Sequence, residues 1–260
     1  MNFSNKFQSI DLEKIKNIIA IPSYNEVEAL PSLIANLSQK LGAQDLVMIL
    51  DDSEPKVSVF LEEVVAKAFR NPISQLVFIN SGVKNGRGAA IRKGMELTNR
   101  YIPNFIYFIE CDSDESHQVE DILRVIRSDE NCDLLIGSRY LENSNIINWP
   151  VLRRIFSKTL NIFIPLLLGI KVKDITNGLR RYTNKSVRIL LKYEQINFGF
   201  TYLSEQAYIL RNNACSIKEI PITFIDRKLG SSTVGISEIY NSIRGITNLF
   251  SNKKKLKYAE

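Results

Sequence analysis

The stretch Phe105-Ile106-Tyr107-Phe108-Ile109-Glu110-Cys111-Asp112-Ser113-Asp114 decides the reading of this chain. An apolar run rich in aromatic and β-branched residues predicts a buried strand, and this one stops at two aspartates one residue apart. Asp112 and Asp114 are therefore expected where a parallel sheet opens into its ligand crevice. Two carboxylates there suit a hard cation, and Mg²⁺ in particular is usually held by one or two carboxylates together with substrate phosphates; Mn²⁺ takes the same ligands. Taken alone, an Asp-Ser-Asp after a strand is more often turn and capping chemistry than a metal site. The rest of the chain has to choose.

Four further short apolar runs, at 17–21, 46–50, 76–79 and 133–136, each end in polar or turn residues. Between them lie segments of helical spacing, such as Leu30, Leu33, Ile34, Leu37 and Leu41, or Val59, Val64 and Ala68. Strands alternating with helices predict an α/β fold, a mostly parallel, Rossmann-like sheet with helices on both faces. Right-handed crossovers then bring the carboxyl ends of the strands to one edge. That edge gathers Ser23-Tyr24-Asn25-Glu26, Asp51-Asp52-Ser53, Asn80-Ser81-Gly82 and Asp112-Ser113-Asp114. Beyond Tyr140 the pattern changes to two or three helical segments, a strand-like 217–225, an amphipathic 236–250 and a basic tail, 251–260. No internal repeat or low-complexity linker divides the chain, which is expected to form a single domain over 1–260.

Composition narrows the chemistry. An apolar fraction of 45% supplies a sizeable core. Cys111, Cys132 and Cys215 are odd in number and lack C-x-x-C spacing, which argues for reduced, packed thiols in an intracellular protein with no disulfides and no zinc. A single histidine, His117, cannot support a multi-histidine metal site. A formal charge of +6 suggests an anionic partner, whether nucleic acid, nucleotide or membrane surface, but no nucleic-acid motif accompanies it. The first residues lack the apolar core of a signal peptide, and the longest apolar stretch, 160–170, is broken by Asn161 and Pro165 and falls short of the roughly 18 residues that span a bilayer.

Gly86-Arg87-Gly88 follows the third strand and lacks the third glycine of a dinucleotide fingerprint, so these glycines are expected to let a helix pack closely or a backbone approach a ligand. No P-loop motif occurs. In order along the chain stand Ile21-Pro22-Ser23-Tyr24-Asn25-Glu26, Asp51-Asp52-Ser53, Gly86-Arg87-Gly88, Asp112-Ser113-Asp114-Glu115-Ser116-His117 and Gly137-Ser138-Arg139-Tyr140. This series resembles family 2 glycosyltransferases of the GT-A fold. Trp149, Arg153, Ser157, Asn161, the run Asp174-Ile175-Thr176-Asn177-Gly178-Leu179-Arg180-Arg181-Tyr182, then 219–227 and Gly230-Ser231-Ser232 narrow the resemblance to the dolichyl-phosphate mannose synthases, polyprenyl-phosphate mannosyltransferases, in their form without transmembrane helices.

That resemblance, covering about 18–250, implies a hexose transfer, of mannose from GDP-mannose, to a polyprenyl or dolichyl phosphate. It divides the chain into a nucleotide-sugar half, about 17–140, and acceptor and interface elements, about 141–250. It implies that Pro22, Tyr24, Glu26, Leu50 and Asp52, with Ser113, hold the nucleoside, and that Asp112, Asp114 and Ser116 coordinate Mg²⁺ or Mn²⁺. Arg139 and Arg227 match positions that meet the donor diphosphate or the acceptor phosphate. It leaves room for a small membrane subunit as partner, and for a place on the cytoplasmic face of a membrane. Two positions depart from the pattern: Thr233 stands where the family has lysine, and Leu203 where it has glutamine before Glu205.

An inverting transfer needs no covalent nucleophile, only stabilisation of the leaving diphosphate. A phosphate acceptor, with a second pKa of about 6, is already anionic at pH 7, whereas a hydroxyl acceptor needs a base, for which Glu205 is the candidate. His117 is expected to cap or support rather than catalyse, and Arg180 and Arg181 to be one structural ion pair and one solvated charge. Leu152, Ile155, Phe156, Leu160 and Phe163 can share a helix face flanked by Arg153, Arg154 and Lys158, either as an interfacial helix on an anionic membrane or as a core-packing helix. Two other readings stand beside the lipid-phosphate one: a family 2 enzyme extending a surface glycan from a UDP- or other nucleotide sugar, and a non-catalytic nucleotide-sugar-binding subunit.

Overall fold

The structure is a computed structural model, and it describes residues 4–7, 10–226, 244–245, 247–249 and 251–252. A short helix α1 (Ser4–Phe7) precedes β1 (Asn17–Ser23), α2 (Ala29–Ser38), β2 (Asp45–Asp51), α3 (Pro55–Ala68), β3 (Gln75–Asn80), α4 (Arg87–Tyr101), β4 (Tyr107–Glu110) and α5 (Val119–Arg127). Then follow β5 (Leu134–Ser138), β6 (Asn145–Ile147), α6 (Val151–Leu168), β7 (Arg180–Thr183), α7 (Asn184–Leu191), α8 (Tyr202–Asn212), β8 (Ile217–Pro221) and β9 (Thr223–Ile225). The five apolar runs of the first half are the five strands β1 to β5, each within a few residues of its predicted place.

The main sheet runs β3-β2-β1-β4-β7-β5-β8. Pairs β1–β2, β2–β3, β1–β4 and β5–β8 are parallel, whereas β7 is antiparallel to both β4 and β5. Alternate residues of each strand feed two cores. Ile18, Ala20, Leu46 and Met48 face α4, α7 and α8, while Ile19, Ile21, Val47 and Ile49 face α2, α3 and α5. Because both faces are covered, these strands read as continuous apolar runs. After β3 the chain returns to place β4 on the other side of β1, so the sheet order reverses there and a crevice opens beyond the carboxyl ends of β1 and β4.

Three local expectations change. The buried stripe of α3 is Ser58, Leu61 and Val65, and Val59 points outward, because the sheet is met by that neighbouring row of the helix. The strand-like 217–225 is two strands broken at Ile222: β8 stays in the main sheet and β9 pairs with β6 in a small parallel ribbon. Arg180 and Arg181 form no solvated surface. Both are buried in β7, where Arg180 donates to the carbonyls of Asn177, Leu203 and Ile175, and Arg181 to those of Ser128 and Glu130. Guanidiniums suit this use because their planar fork can satisfy several loop carbonyls at once. The 236–250 segment is described only in part, and Arg227, 230–233 and the lysine-rich tail lie outside the described residues.

Candidate functional site

A cavity of about 530 Å³ fills the crevice. Pro22, Tyr24 and Glu26 after β1, Asp52 after β2, and Asp112, Ser113 and Asp114 after β4 all line it. The structure thus brings together most of the residues singled out from sequence. Leu50 lies behind them in β2, buried, and borders a second space of about 360 Å³ that shares Asp52.

Asp52 organises one wall. Its Oδ2 accepts the backbone N–H groups of Asn85 and Gly86 at 2.9 and 2.8 Å, and its Oδ1 accepts the Ser81 hydroxyl at 2.8 Å. These bonds draw the loop before α4 toward the crevice, where the Lys84 ammonium sits 4.0 Å from the centre of the Tyr24 ring. Gly86 adopts φ +90, a turn that only glycine makes freely, and a Cβ on Gly88 would stand 2.9 Å from the Phe198 carbonyl oxygen. The glycines of this motif therefore serve close packing.

The acidic pair is held from behind. The Asp112 N–H donates to His117 Nδ1 at 3.1 Å, and His117 Nε2 lies 2.8 Å from Asn177 Oδ1, while the Asn177 amide donates to the Gly137 carbonyl. Nδ1 is thus the acceptor and Nε2 carries the proton, a neutral tautomer matched by burial that pushes the imidazole down to about 4. Ser116 donates its N–H to Asp114 Oδ1 at 3.1 Å, and its hydroxyl lies 3.5 Å from Asp112 Oδ2, but Ser116 is buried behind the pair and does not line the cavity. Among the described residues no group of three or more histidine, cysteine, aspartate or glutamate side chains gathers as a metal cage. Two cavity-lining carboxylates with room beside them fit a hard divalent cation that takes its remaining ligands from phosphates and water. Ser23 Oγ and Trp149 Nε1 are buried in residues of the same wall without a hydrogen-bond partner, as expected of a site shaped for a polar ligand.

Arg139 follows β5 into the cavity wall. Its Nε and Nη2 donate to Asp174 Oδ2 and Oδ1 at 2.7 and 2.8 Å, Nη2 also reaches Thr176 Oγ1 at 2.8 Å, and its backbone N–H donates to Asp174 at 2.9 Å. Burial opposes the charge, but the fully buried Asp174 outweighs it and raises the guanidinium above its ordinary value. Arg153, expected to flank the apolar face of α6, lies in the cavity wall with Phe156 and Leu160: it pairs with Asp226 at 2.9 Å and lies 4.5 Å from the centre of the Trp149 ring. Arg154 and Lys158 remain exposed. Glu205 does not line the cavity. Its carboxylate accepts the N–H groups of Ile196 and Asn197 and the Asn197 amide at 2.7–2.9 Å, and burial pushes it up from the ordinary carboxylate range. Sequence reasoning missed Asp174 as the partner of Arg139, because the pair is separated by 35 positions. It also gave no role to Arg87 beyond the glycines around it.

The family model for glycosyl transferase family 2 matches residues 18–204. The chain belongs to glycosyl transferase family 2. This glycosyltransferase is 31% identical over 225 residues to the polyprenol monophosphomannose synthase of Mycolicibacterium smegmatis, covering 86% of this chain and 83% of that one. It is 27% identical over 231 residues to the undecaprenyl-phosphate mannosyltransferase of Micrococcus luteus, covering 87% and 90%. In fold it is similar to the glucosyl-3-phosphoglycerate synthase of Mycobacterium tuberculosis solved with Mn²⁺, UDP-glucose and glycerol 3-phosphate, with a TM-score of 0.59 at 14% identity over 91% of this chain and 79% of that one.

Proposed function

We propose that this glycosyltransferase moves mannose from GDP-mannose to the phosphate of a polyprenol, with inversion at the anomeric carbon. The observation that carries the reading is the mixed lining of the one cavity. Tyr24, Glu26, Asp52 and the acidic pair line it together with the apolar Phe156, Leu160, Ile164 and Phe200 and the cations Arg139 and Arg153. A nucleoside diphosphate sugar needs the polar lining, a phosphate on an apolar tail needs the apolar one, and the names of the two relatives support a polyprenyl phosphate as acceptor.

In this reading Pro22, Tyr24, Glu26 and Asp52 receive the nucleoside beside Ser113, and Asp112 and Asp114 hold Mg²⁺ or Mn²⁺ with Ser116 supporting Asp112. Such a cation, when bound, offsets the charge that develops on the leaving diphosphate. Arg139, fixed by Asp174, presents a cation to the phosphates, and Arg227 is assigned the same task from the sequence. A phosphate monoester needs no general base at pH 7. Glu205, with both oxygens on the 196–197 amides, is assigned to hold that loop.

The acceptor side also suits a membrane surface. The outer face of α6 exposes Leu152 (82%), Ile155, Ile162, Phe163 and Leu166 (74%), flanked by Arg154 and Lys158. Among the described residues no helix is long and apolar enough to cross a bilayer, so contact through α6 would be peripheral. The test is a panel of radiolabelled nucleotide sugars with a short-chain polyprenyl phosphate, partitioned into organic solvent. Label should enter the organic phase from GDP-mannose; label entering only from a UDP-sugar, or only a water-soluble glycan, overturns the proposal.

A further inference from the structure

Arg87 opens α4 and has no part in the reading above, yet its guanidinium pairs directly with Asp112. Its donors divide between two carboxylates. Nε and Nη2 donate to Glu110 Oε1 at 3.1 and 2.8 Å, and Nη1 donates to Asp112 Oδ1. Nε also lies 2.9 Å from the Tyr202 hydroxyl, which itself donates to Glu110. Glu110 is fully buried, so it and Tyr202 anchor the guanidinium without help from Asp112. The neighbouring backbone leaves room for the pair: a Cβ on Gly178 would stand 2.9 Å from Arg87 Cζ and 3.0 Å from Asp112 Oδ1. Arg87 lines the same cavity as Asp112 and Asp114.

A guanidinium bonded to the oxygen that a divalent cation would take competes with that cation, both for the ligand and by charge. At about 4 Å a unit charge and a dication repel enough, even in bulk water, to weaken binding by roughly tenfold or more. A diphosphate arriving beside them changes the balance, because its oxygens can accept the donor that Asp112 gives up.

We propose that Arg87 is a stand-in cation at the metal subsite: anchored to Glu110 and Tyr202, it holds Asp112 until a nucleoside diphosphate arrives, then turns its Nη1 donor to that diphosphate, so that divalent-cation binding depends on the nucleotide. This rests on Asp112 being a metal ligand. The chain has a single tryptophan, Trp149, in the wall of the same cavity, so its emission reads occupancy without turnover.

The experiment titrates the full chain with Mn²⁺, alone and with saturating GDP, following Trp149 fluorescence and heat, for the wild type, Arg87→Met, and Arg87→Met with Glu110→Gln. In the wild type GDP should tighten Mn²⁺ binding by at least about tenfold; in both variants Mn²⁺ alone should bind at least about fivefold tighter, with the GDP effect falling below about threefold. Equal Mn²⁺ affinity with and without GDP in the wild type overturns the inference even if the variants fail to fold. So does a folded variant with unchanged or weaker Mn²⁺ affinity. Tightening in Arg87→Met alone also overturns it, assigning the effect to the unpaired Glu110. A wild type that binds GDP but no Mn²⁺ removes the metal reading together with this one, whereas failure confined to the variants removes only the role of Arg87.

Discussion

Replacing Asp174 with asparagine isolates the pair that holds Arg139 in the cavity wall. Asp174 is fully buried and accepts three N–H donors of Arg139 at 2.7–2.9 Å. Asparagine keeps the shape but removes the charge and turns an NH₂ toward guanidinium donors. Breaking a buried pair by removing one partner costs about 3–5 kcal/mol, because the surviving charge is stranded away from water. At roughly 2–4 °C per kcal/mol for a chain of about this size, Asp174→Asn should lower Tm by roughly 6–20 °C in calorimetry. Arg139→Met combined with Asp174→Leu fills the site with apolar groups and should recover most of that stability, while kcat/KM stays at least about 10² below wild type because the cation is gone. An Asp174→Asn protein melting within about 2 °C of wild type would refute the argument that Arg139 depends on this partner. Full activity in the double variant would remove Arg139 from the site.

Asp112→Asn and Asp114→Asn should each lower kcat/KM by at least about 10², measured with saturating Mn²⁺; near-wild-type rates in both would sink the acidic pair as the metal site. Because burial depresses His117 to about 4, the unfolded chain takes up a proton below about pH 6.5 that the folded chain refuses, so stability should fall as pH drops through that window. His117→Gln removes this contribution, and urea unfolding at pH 7 and 4.5 should show a smaller loss in the variant; equal losses would contradict it. Leu152→Glu with Leu166→Glu should abolish flotation with anionic liposomes and raise KM for a long-chain lipid phosphate, leaving GDP affinity in solution unchanged. Undiminished flotation would show that α6 is not the docking face.

The first half of the fold was legible because its strands are covered on both faces, so β1 to β5 stand out as apolar runs ending in the polar residues of the crevice. β7 was hidden by the same logic inverted: Arg180 and Arg181 look like surface residues, and only loop carbonyls distant in sequence make their burial tolerable. The convergence of the acidic pair, Tyr24, Glu26 and Asp52 on one cavity is legible because strand ends at a switch point meet whatever the loops do. The roles of Arg87, Asp174 and Glu205 depend on pairings 8 to 115 positions apart, which carry no local period or motif. Helical spacing groups Arg153 with Arg154 and Lys158 around the apolar face of α6 without saying that Arg153 alone of the three meets Trp149 and Asp226.

The central claim is that the acceptor is a phosphate on a polyprenyl chain and that the apolar residues lining the cavity meet that chain. Its most direct test supplies GDP-[¹⁴C]mannose and Mn²⁺ with undecaprenyl phosphate or with undecaprenol, the same chain without the phosphate. The account predicts a labelled, mild-acid-labile mannolipid from the phosphate and none from the alcohol. Equal labelling of the alcohol, or label passing only to a water-soluble glycan, would contradict it.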